Sequence, residues 1–245
     1  MRILGRFLIG VGLAALVSSS ASAALLEPQL HLRPSTEATP RVAVTLDACG
    51  GKTDARILSA LVDNKIPATI FVTGKWLKRN AEALAVMRAH PDLFELENHG
   101  AEHVPAVDTP RRIYGLKSAG STEAVQAEVV AGALALTDRG EPAPKWFRGA
   151  TAQYSKSSIA LIRSLGFRIA GYSINGDGGS LLGARETERR VSAAKDGDVI
   201  IAHINQPTHA AGGGLVKGLL ALKAKGYAFV RLDDVEDDGT DDTTN

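Results

Sequence analysis

The sequence predicts an α/β fold in which a parallel sheet, closed or nearly closed into a barrel, is wrapped by helices within one domain. Two observations carry this. Short β-branched or apolar runs alternate with longer segments of helical period, as a parallel sheet with crossover helices requires. Helix-starting serines and helix-ending glycines also fall at the junctions between the two kinds of segment.

The predicted strands, in order, are RVAVTLDA (Arg41 to Ala48), PATIFVTG (Pro67 to Gly74), LFELENHG (Leu93 to Gly100), KWFRGA (Lys145 to Ala150), FRIAGYSI (Phe167 to Ile174), DVIIAHI (Asp198 to Ile204) and YAFVRLDD (Tyr227 to Asp234). Between them lie the helical patterns DARILSALVDNK, WLKRNAEALAVMRAH, STEAVQAEVVAGALALTDR, SKSSIALIRSLG, ETERRVSAAKDG and GGLVKGLLALKAKG. Ser121 and Ser155 stand at N-cap positions, and Gly166 and Gly226 close helices just before the next strand. The result is about seven βα units, one short of the standard eight-fold barrel. A doubly wound open sheet is the alternative arrangement.

The N-terminus differs in kind. Arg2 and Arg6 precede the apolar run FLIGVGLAALV, and Ala21-Ser22-Ala23 fits a small-x-small cleavage site. Residues 1–23 read as a secretory signal peptide whose apolar core is too short to span a bilayer permanently. Residues 24–40 are rich in Pro, Ser and Thr and read as a leader strand or linker. The main domain runs from 41 to 235, and the acidic tail EDDGTDDTTN (236–245) reads as disordered. The expected location is periplasmic or secreted, with no membrane span after cleavage.

The 245 residues are 44% hydrophobic and 22% charged, which is ordinary for a globular domain with a sizeable core. A net charge of +1 gives no electrostatic case for nucleic acid as a partner. The single cysteine, Cys49, excludes an internal disulfide. Cys49 is therefore either shielded or a free thiol with a function.

In parallel α/β folds, chemistry gathers at the carboxyl ends of the strands. Asp47, His99, Arg148 and His203 end four predicted strands, Asp177 follows a fifth, and His103 lies four residues past His99. Packing does not readily explain such a set at one barrel face. The HGAEH spacing puts two imidazoles on one side of a turn or helix start, where both reach one metal ion.

The ordered series TLDA, NHGAEH, FRGATA, NGDGG and IIAHINQP resembles the motif series of the polysaccharide deacetylases, the NodB-homology domain of carbohydrate esterase family 4. The similarity runs from about Arg41 to Leu232. It implies a distorted (β/α)7 barrel with a divalent metal, usually zinc, in its mouth. It also implies roles: Asp47 as general base, His99 and His103 as metal ligands, Arg148 orienting the base, His203 as general acid and Asp177 as the partner of that histidine. This agrees with the chemistry of acetyl hydrolysis, which needs an activated water, a proton acceptor, oxyanion stabilisation and a proton donor for the leaving group.

Two departures from the family stand out. Most members carry a second aspartate after the first, as the third metal ligand, where this chain has Ala48. Asp47 is the first choice to take over that vertex and Cys49 the second, with Asp177 as a further alternative. The residue after the first histidine is Gly100 rather than Ser or Thr, which removes a supporting hydrogen bond.

Trp146 and Tyr154 flank the arginine motif and are candidates for stacking on sugar rings, with barrel core as the equal alternative for Trp146. Gly212-Gly213-Gly214 reads as a flexible loop over the mouth, and His31, His90 and His209 as solvated surface. The expected function is an exported, metal-dependent removal of acetyl groups from a carbohydrate, with an N-acetylhexosamine polymer or oligomer as the expected substrate. The alternatives are hydrolysis of another non-peptide C–N or ester bond, or a metal-free barrel that only binds glycan.

Overall fold

A computed structural model describes residues 24–33 and 38–235. The predicted signal peptide and the acidic tail lie outside the described residues.

In chain order the elements are β1 (Arg41–Ala48), α1 (Ala55–Asp63), β2 (Ala68–Val72), the short α2 (Gly74–Leu77), α3 (Ala81–Ala89), β3 (Phe94–Asn98), β4 (Arg112–Ile113), β5 (Leu116–Lys117) and α4 (Thr122–Thr137). There follow β6 (Trp146–Phe147), α5 (Lys156–Ser164), β7 (Arg168–Ile169), β8 (Ile174–Asn175), α6 (Ala184–Ser192), β9 (Val199–His203), α7 (Ala210–Ala224) and β10 (Ala228–Val230). The main sheet runs β7-β6-β3-β2-β1-β9-β8 and every pairing in it is parallel. β10 joins beside the amino half of β1, while β2 pairs with its carboxyl half. This curled, mostly parallel sheet with helices is the α/β barrel-like architecture the sequence predicts.

β1 is the centre of the sheet, and its alternation fixes the site. Val42, Val44, Leu46 and Ala48 join the core layer shared with the helices, whereas Ala43 packs with Phe71, Trp146 and Ile201 inside the curl. Period-two alternation then aims Asp47 into the interior and Ala48 away from it.

The helices form for identifiable local reasons. Asp54 caps α1 by accepting from the Arg56 amide at 3.0 Å, and Ser121 caps α4 by accepting from the Ala124 amide at 3.2 Å. Ser155 stands at the N-cap of α5 but caps no amide, its hydroxyl pairing with that of Ser158 instead. Gly166 and Gly226 adopt φ of +91° and +83° just past α5 and α7, which only glycine does without strain.

Three expectations change and one open alternative is resolved. The single helix read over WLKRNAEALAVMRAH breaks into α2 and α3 at Asn80. That buried carboxamide accepts from the Thr53 amide and donates to the carbonyls of Gly51 and Trp76, tying the loop after β1 to α2. The strand read over FRIAGYSI divides into β7 and β8, because Arg148 takes the carbonyls of Ala170 and Gly171 between them. The glycines at 212–214 lie inside α7 rather than in a loop. A Cβ on Gly214 would stand 2.1 Å from the Ala184 carbonyl oxygen and one on Gly212 2.2 Å from Asp54 Oδ2, so glycine permits close packing against α6 and the start of α1.

Finally, residues 24–33, read as a leader strand or linker, form an integral strap. Leu26 exchanges backbone hydrogen bonds with Tyr154, and the Leu32 amide donates to the Gly197 carbonyl. Leu30 and Leu32 are buried against Trp146, Ala170 and Tyr172. The strap thus covers the stretch where the sheet passes from β7 to β8.

Candidate active site

The strand ends gather their side chains around a cavity of about 660 Å³ whose walls include Asp47, Cys49, His103, Tyr172, His203 and Asn205. A groove of similar size between α1 and α3 holds no converging chemistry.

Asp47 is the best-supported group. Arg148, itself wholly buried, donates from Nη1 to Asp47 Oδ1 at 3.0 Å, and its other nitrogens are fixed by the carbonyls of Ala170 and Gly171 at 3.1 and 2.9 Å. The guanidinium also lies over the Phe71 ring, 4.3 Å from its centre. Burial alone would raise the Asp47 carboxyl, but the charges of His99 and Arg148 outweigh it and hold it below its usual value.

His203 faces it from β9, paired in register with Asp47 itself. Asp177 receives the His203 backbone amide at 2.7 Å and the ring Nδ1–H at 3.0 Å. Burial disfavours charge on this imidazole, yet Asp177 more than offsets it and lifts the pKa well above the ordinary histidine value. With Nδ1 engaged, Nε2 is the nitrogen left to donate a proton.

The third group is soft. Cys49 Sγ, His99 and His103 offer ligand atoms that all lie within 4.8 Å of one another. Cys49 Sγ stands 3.6 Å from His99 Nε2, and the two imidazole rings are 5.0 Å apart. His99 Nδ1–H donates to the Arg148 carbonyl at 2.6 Å, which leaves Nε2 as the free donor. Burial would raise the Cys49 thiol, but the imidazoles of His103, His203 and His99 outweigh it and bring it well below its usual value. Thiolate and imidazole are donors that suit zinc.

This geometry changes the expected ligand set. Asp47 Oδ2 lies 3.7 Å from His99 Nε2, but Asp47 does not fall within the donor cluster, and its Oδ1 is held by Arg148. Cys49, two residues on and on the same side of the chain, completes the cluster. Of the two expected settings for the HGAEH pair, a turn or a helix start, the chain takes the turn, and His103 turns inward through a left-handed φ of +64°.

Trp146 and Tyr154 are the clearest correction. They are 1% and 0% exposed. Trp146 donates its indole N–H to Asp233 and lies under Arg168, while the Tyr154 hydroxyl accepts from the Gly149 amide. Neither can stack on a sugar. His209 is half-buried, its Nδ1–H on the Ser180 carbonyl at 2.8 Å, whereas His31 is exposed as expected. Residues the sequence reading missed include Glu27 from the strap and Tyr172, which donates its hydroxyl to Glu27, both in the cavity wall. Tyr114 and Leu181 also line it.

The family model for polysaccharide deacetylases matches residues 35–170, more than half of the chain. The chain belongs to the polysaccharide deacetylase family. A comparison with curated protein sequences returns no match. Among solved structures, the chain is similar to a peptidoglycan N-acetylglucosamine deacetylase at 20% identity and TM-score 0.66, covering 86% of this chain and 93% of that one. It is also similar to a family 4 carbohydrate esterase from Streptomyces lividans solved with acetate, at 20% identity, TM-score 0.59 and coverages of 78% and 91%. A family 4 pseudoenzyme from Bacillus anthracis aligns at 17% identity and TM-score 0.61, covering 81% of this chain and 66% of that one. At these identities the likeness is one of fold, so a polysaccharide deacetylase fold does not by itself decide activity.

Proposed function

We propose that this polysaccharide deacetylase family member is an active, exported, metal-dependent deacetylase of an acetylated glycan, with N-acetylhexosamine chains as the substrate class. The observation that carries the reading is the convergence of three unlike groups on one cavity: an Asp47 held ionised, a His203 held protonated, and a thiolate–imidazole donor cluster. A protein that only binds glycan has no need of an oppositely poised acid and base.

Cys49, His99 and His103 would hold the metal. When bound, a divalent ion, zinc by this donor chemistry, supplies water activation at neutral pH and polarisation of the acetyl carbonyl. Asp47, kept ionised and aimed by Arg148, accepts a proton from the hydrolytic water. His203, charged at rest through Asp177, gives its Nε2 proton to the departing amine or alkoxide. The buried position of Arg148 keeps the base from rotating away from the cavity.

Export rests on the arginine-flanked apolar run and the Ala21-Ser22-Ala23 site; mature protein sequenced from the periplasm should begin at Ala24. No helix among the described residues is long and apolar enough to cross a membrane.

The deciding experiment joins metal analysis with acetate release. Protein purified without chelator should hold about one zinc per chain and release acetate from N-acetylhexosamine oligomers, with chelation abolishing the release and zinc restoring it. Glycan binding without metal or acetate release would replace this reading with the binding-only one.

A further inference from the structure

The two most exposed large apolar side chains among the described residues are Leu181, 80% exposed, and Tyr114, 78% exposed. Both line the cavity that holds Asp47, Cys49 and His203. A scattered apolar residue on a surface needs no explanation, but two at the rim of the same reactive cavity do.

The segments that carry them are built to present them. Tyr114 stands at the tip of the β4–β5 hairpin with Gly115, at φ of +47° and +83°, the left-handed pair of a tight hairpin turn. A tyrosine is a costly residue in that conformation. Its hydroxyl is then fixed by the Gln153 side-chain amide, which donates to it at 3.2 Å. Buried Ile113 anchors the hairpin beneath.

Leu181 follows three consecutive residues with positive φ, Gly178, Gly179 and Ser180 at +59°, +71° and +66°. That loop is pinned rather than loose. The Gly178 amide donates to Asn175 Oδ1 at 2.8 Å, the Leu182 amide to the Asp177 carbonyl at 3.1 Å, and His209 donates to the Ser180 carbonyl. Holding both side chains in water therefore uses strained backbone and specific hydrogen bonds, a pattern that goes with binding.

Beside Leu116, Ala152 and Ile201, the cavity wall carries polar groups that are paired with one another. Tyr172 and Glu27 share a hydrogen bond, and Lys75 pairs with Glu102 at 3.3 Å. Apolar jaws over a rim of carboxylate and hydroxyl groups suit a ligand with flat apolar faces and hydroxyls around its edge. That description fits a pyranose ring.

We infer that Tyr114 and Leu181 are specificity-determining jaws that grip sugar rings neighbouring the acetylated one, so that the site selects glycan chains over small acetylated compounds. This rests on the deacetylase reading above and adds a length requirement to it. The jaws act by binding and touch no reacting atom, so they change affinity for chains and not the chemistry of acetyl transfer to water.

The test uses the full mature protein with its metal, an N-acetylhexosamine series from monomer to hexamer, and ethyl acetate as a probe with no ring for the jaws to grip. In the wild type, kcat/KM should rise with chain length. Tyr114→Ala and Leu181→Ala should each lower kcat/KM on the hexamer about three- to ten-fold, mainly through KM, and leave the small ester unchanged. Tyr114→Phe should retain most of the chain preference, since the ring and not the hydroxyl makes the face. Calorimetric titration with the hexamer should show the same three- to ten-fold loss in Kd. Equal losses on hexamer and small ester, or unchanged hexamer affinity in both variants, would overturn the jaws while leaving the deacetylase reading intact. Hexamer binding that depends on Tyr114 but is never followed by acetate release would keep the jaws and overturn deacetylation instead.

Discussion

Two groups of carboxyls occupy the same barrel, and their buried members answer burial in opposite ways. At the carboxyl ends of the strands, Asp47 and Asp177 each face a cation, Arg148 in one case and His203 in the other, both at 3.0 Å. Elsewhere in the curl, Glu95 and Glu97 of β3 and Asp233 just past β10 crowd until their oxygens lie within 4.8 Å of one another. Burial there, with the neighbouring carboxylates, pushes Glu97 up to about 9 and Glu95 up to about 7. Glu97 Oε2 accepts from the backbone amides of Lys145 and Trp146, so its task is to hold the start of β6. Lys145, two-thirds exposed, pairs with Asp233 at the edge of this group.

A strongly shifted carboxyl therefore does not mark the reactive site of this fold. What separates the two groups is the partner: at the mouth Asp47 and Asp177 are each matched to a cation, whereas in the glutamate group burial and neighbouring carboxylates outweigh the backbone hydrogen bonds and keep Glu97 neutral. Substitutions in the two groups should consequently register in different observables.

The largest expected effect is at Asp47. Asp47→Asn should lower kcat by roughly 10²- to 10⁴-fold, the range for a positioned acid or base. It also leaves Arg148 buried without a counter-charge, so Tm should fall as well. Metal content should stay near one per chain, because Cys49 and not Asp47 completes the donor cluster. Metal lost together with activity would return Asp47 to the ligand set.

Cys49→Ser comes next. Losing a mere supporting partner of a ligand costs about 10- to 100-fold in metal affinity, and losing a ligand should cost at least that. Cys49→Asp, which restores an anionic donor at the same position, should recover much of the binding. The measurement is zinc dissociation by competition with a chromophoric chelator. Wild-type affinity in the serine variant would remove Cys49 from the centre.

The mouth was legible in the sequence because strand ends are where short apolar runs stop, and Asp47, His99, Arg148 and His203 sit at those stops. The alternation of strand and helix patterns likewise gave the sheet, since β1 alternates between a helix-facing row and an inward row. What stayed hidden had no local signal. The sequence named both Asp47 and Cys49 for the vertex left by Ala48, but the choice between them rests on Arg148 holding Asp47 Oδ1 from across the fold. Trp146 and Tyr154 carried the composition of a sugar platform but are committed to Asp233 and Gly149 across the fold. The strap at 24–33 stayed undecided between leader strand and linker because Leu26, Leu30 and Leu32 are too few to set a period. The glycines of α7 looked like a loop because their reason lies in α6 and Asp54.

The smallest expected effect, and the one that isolates the glutamate group, is Glu97→Gln. The carboxyl binds its proton more tightly folded, at about 9, than in the unfolded chain near the ordinary 4.5. The stability this contributes is complete below pH 4.5 and is lost as the pH rises through the folded value. Wild-type Tm should therefore decline between pH 5 and 9, and Glu95, pushed up to about 7, adds a smaller share to the lower part of that window. A glutamine keeps an acceptor for the Lys145 and Trp146 amides but has no proton to lose. The variant should match the wild type near pH 5 and exceed it at pH 8 by a few degrees, at roughly 2–4 °C for each kcal/mol regained. Its acetate release at pH 7 should be unaltered, since Glu97 is absent from the walls of the reactive cavity. Parallel Tm curves for the two proteins would mean that Glu97 is already ionised in the folded state, and the contrast between the two groups would fail.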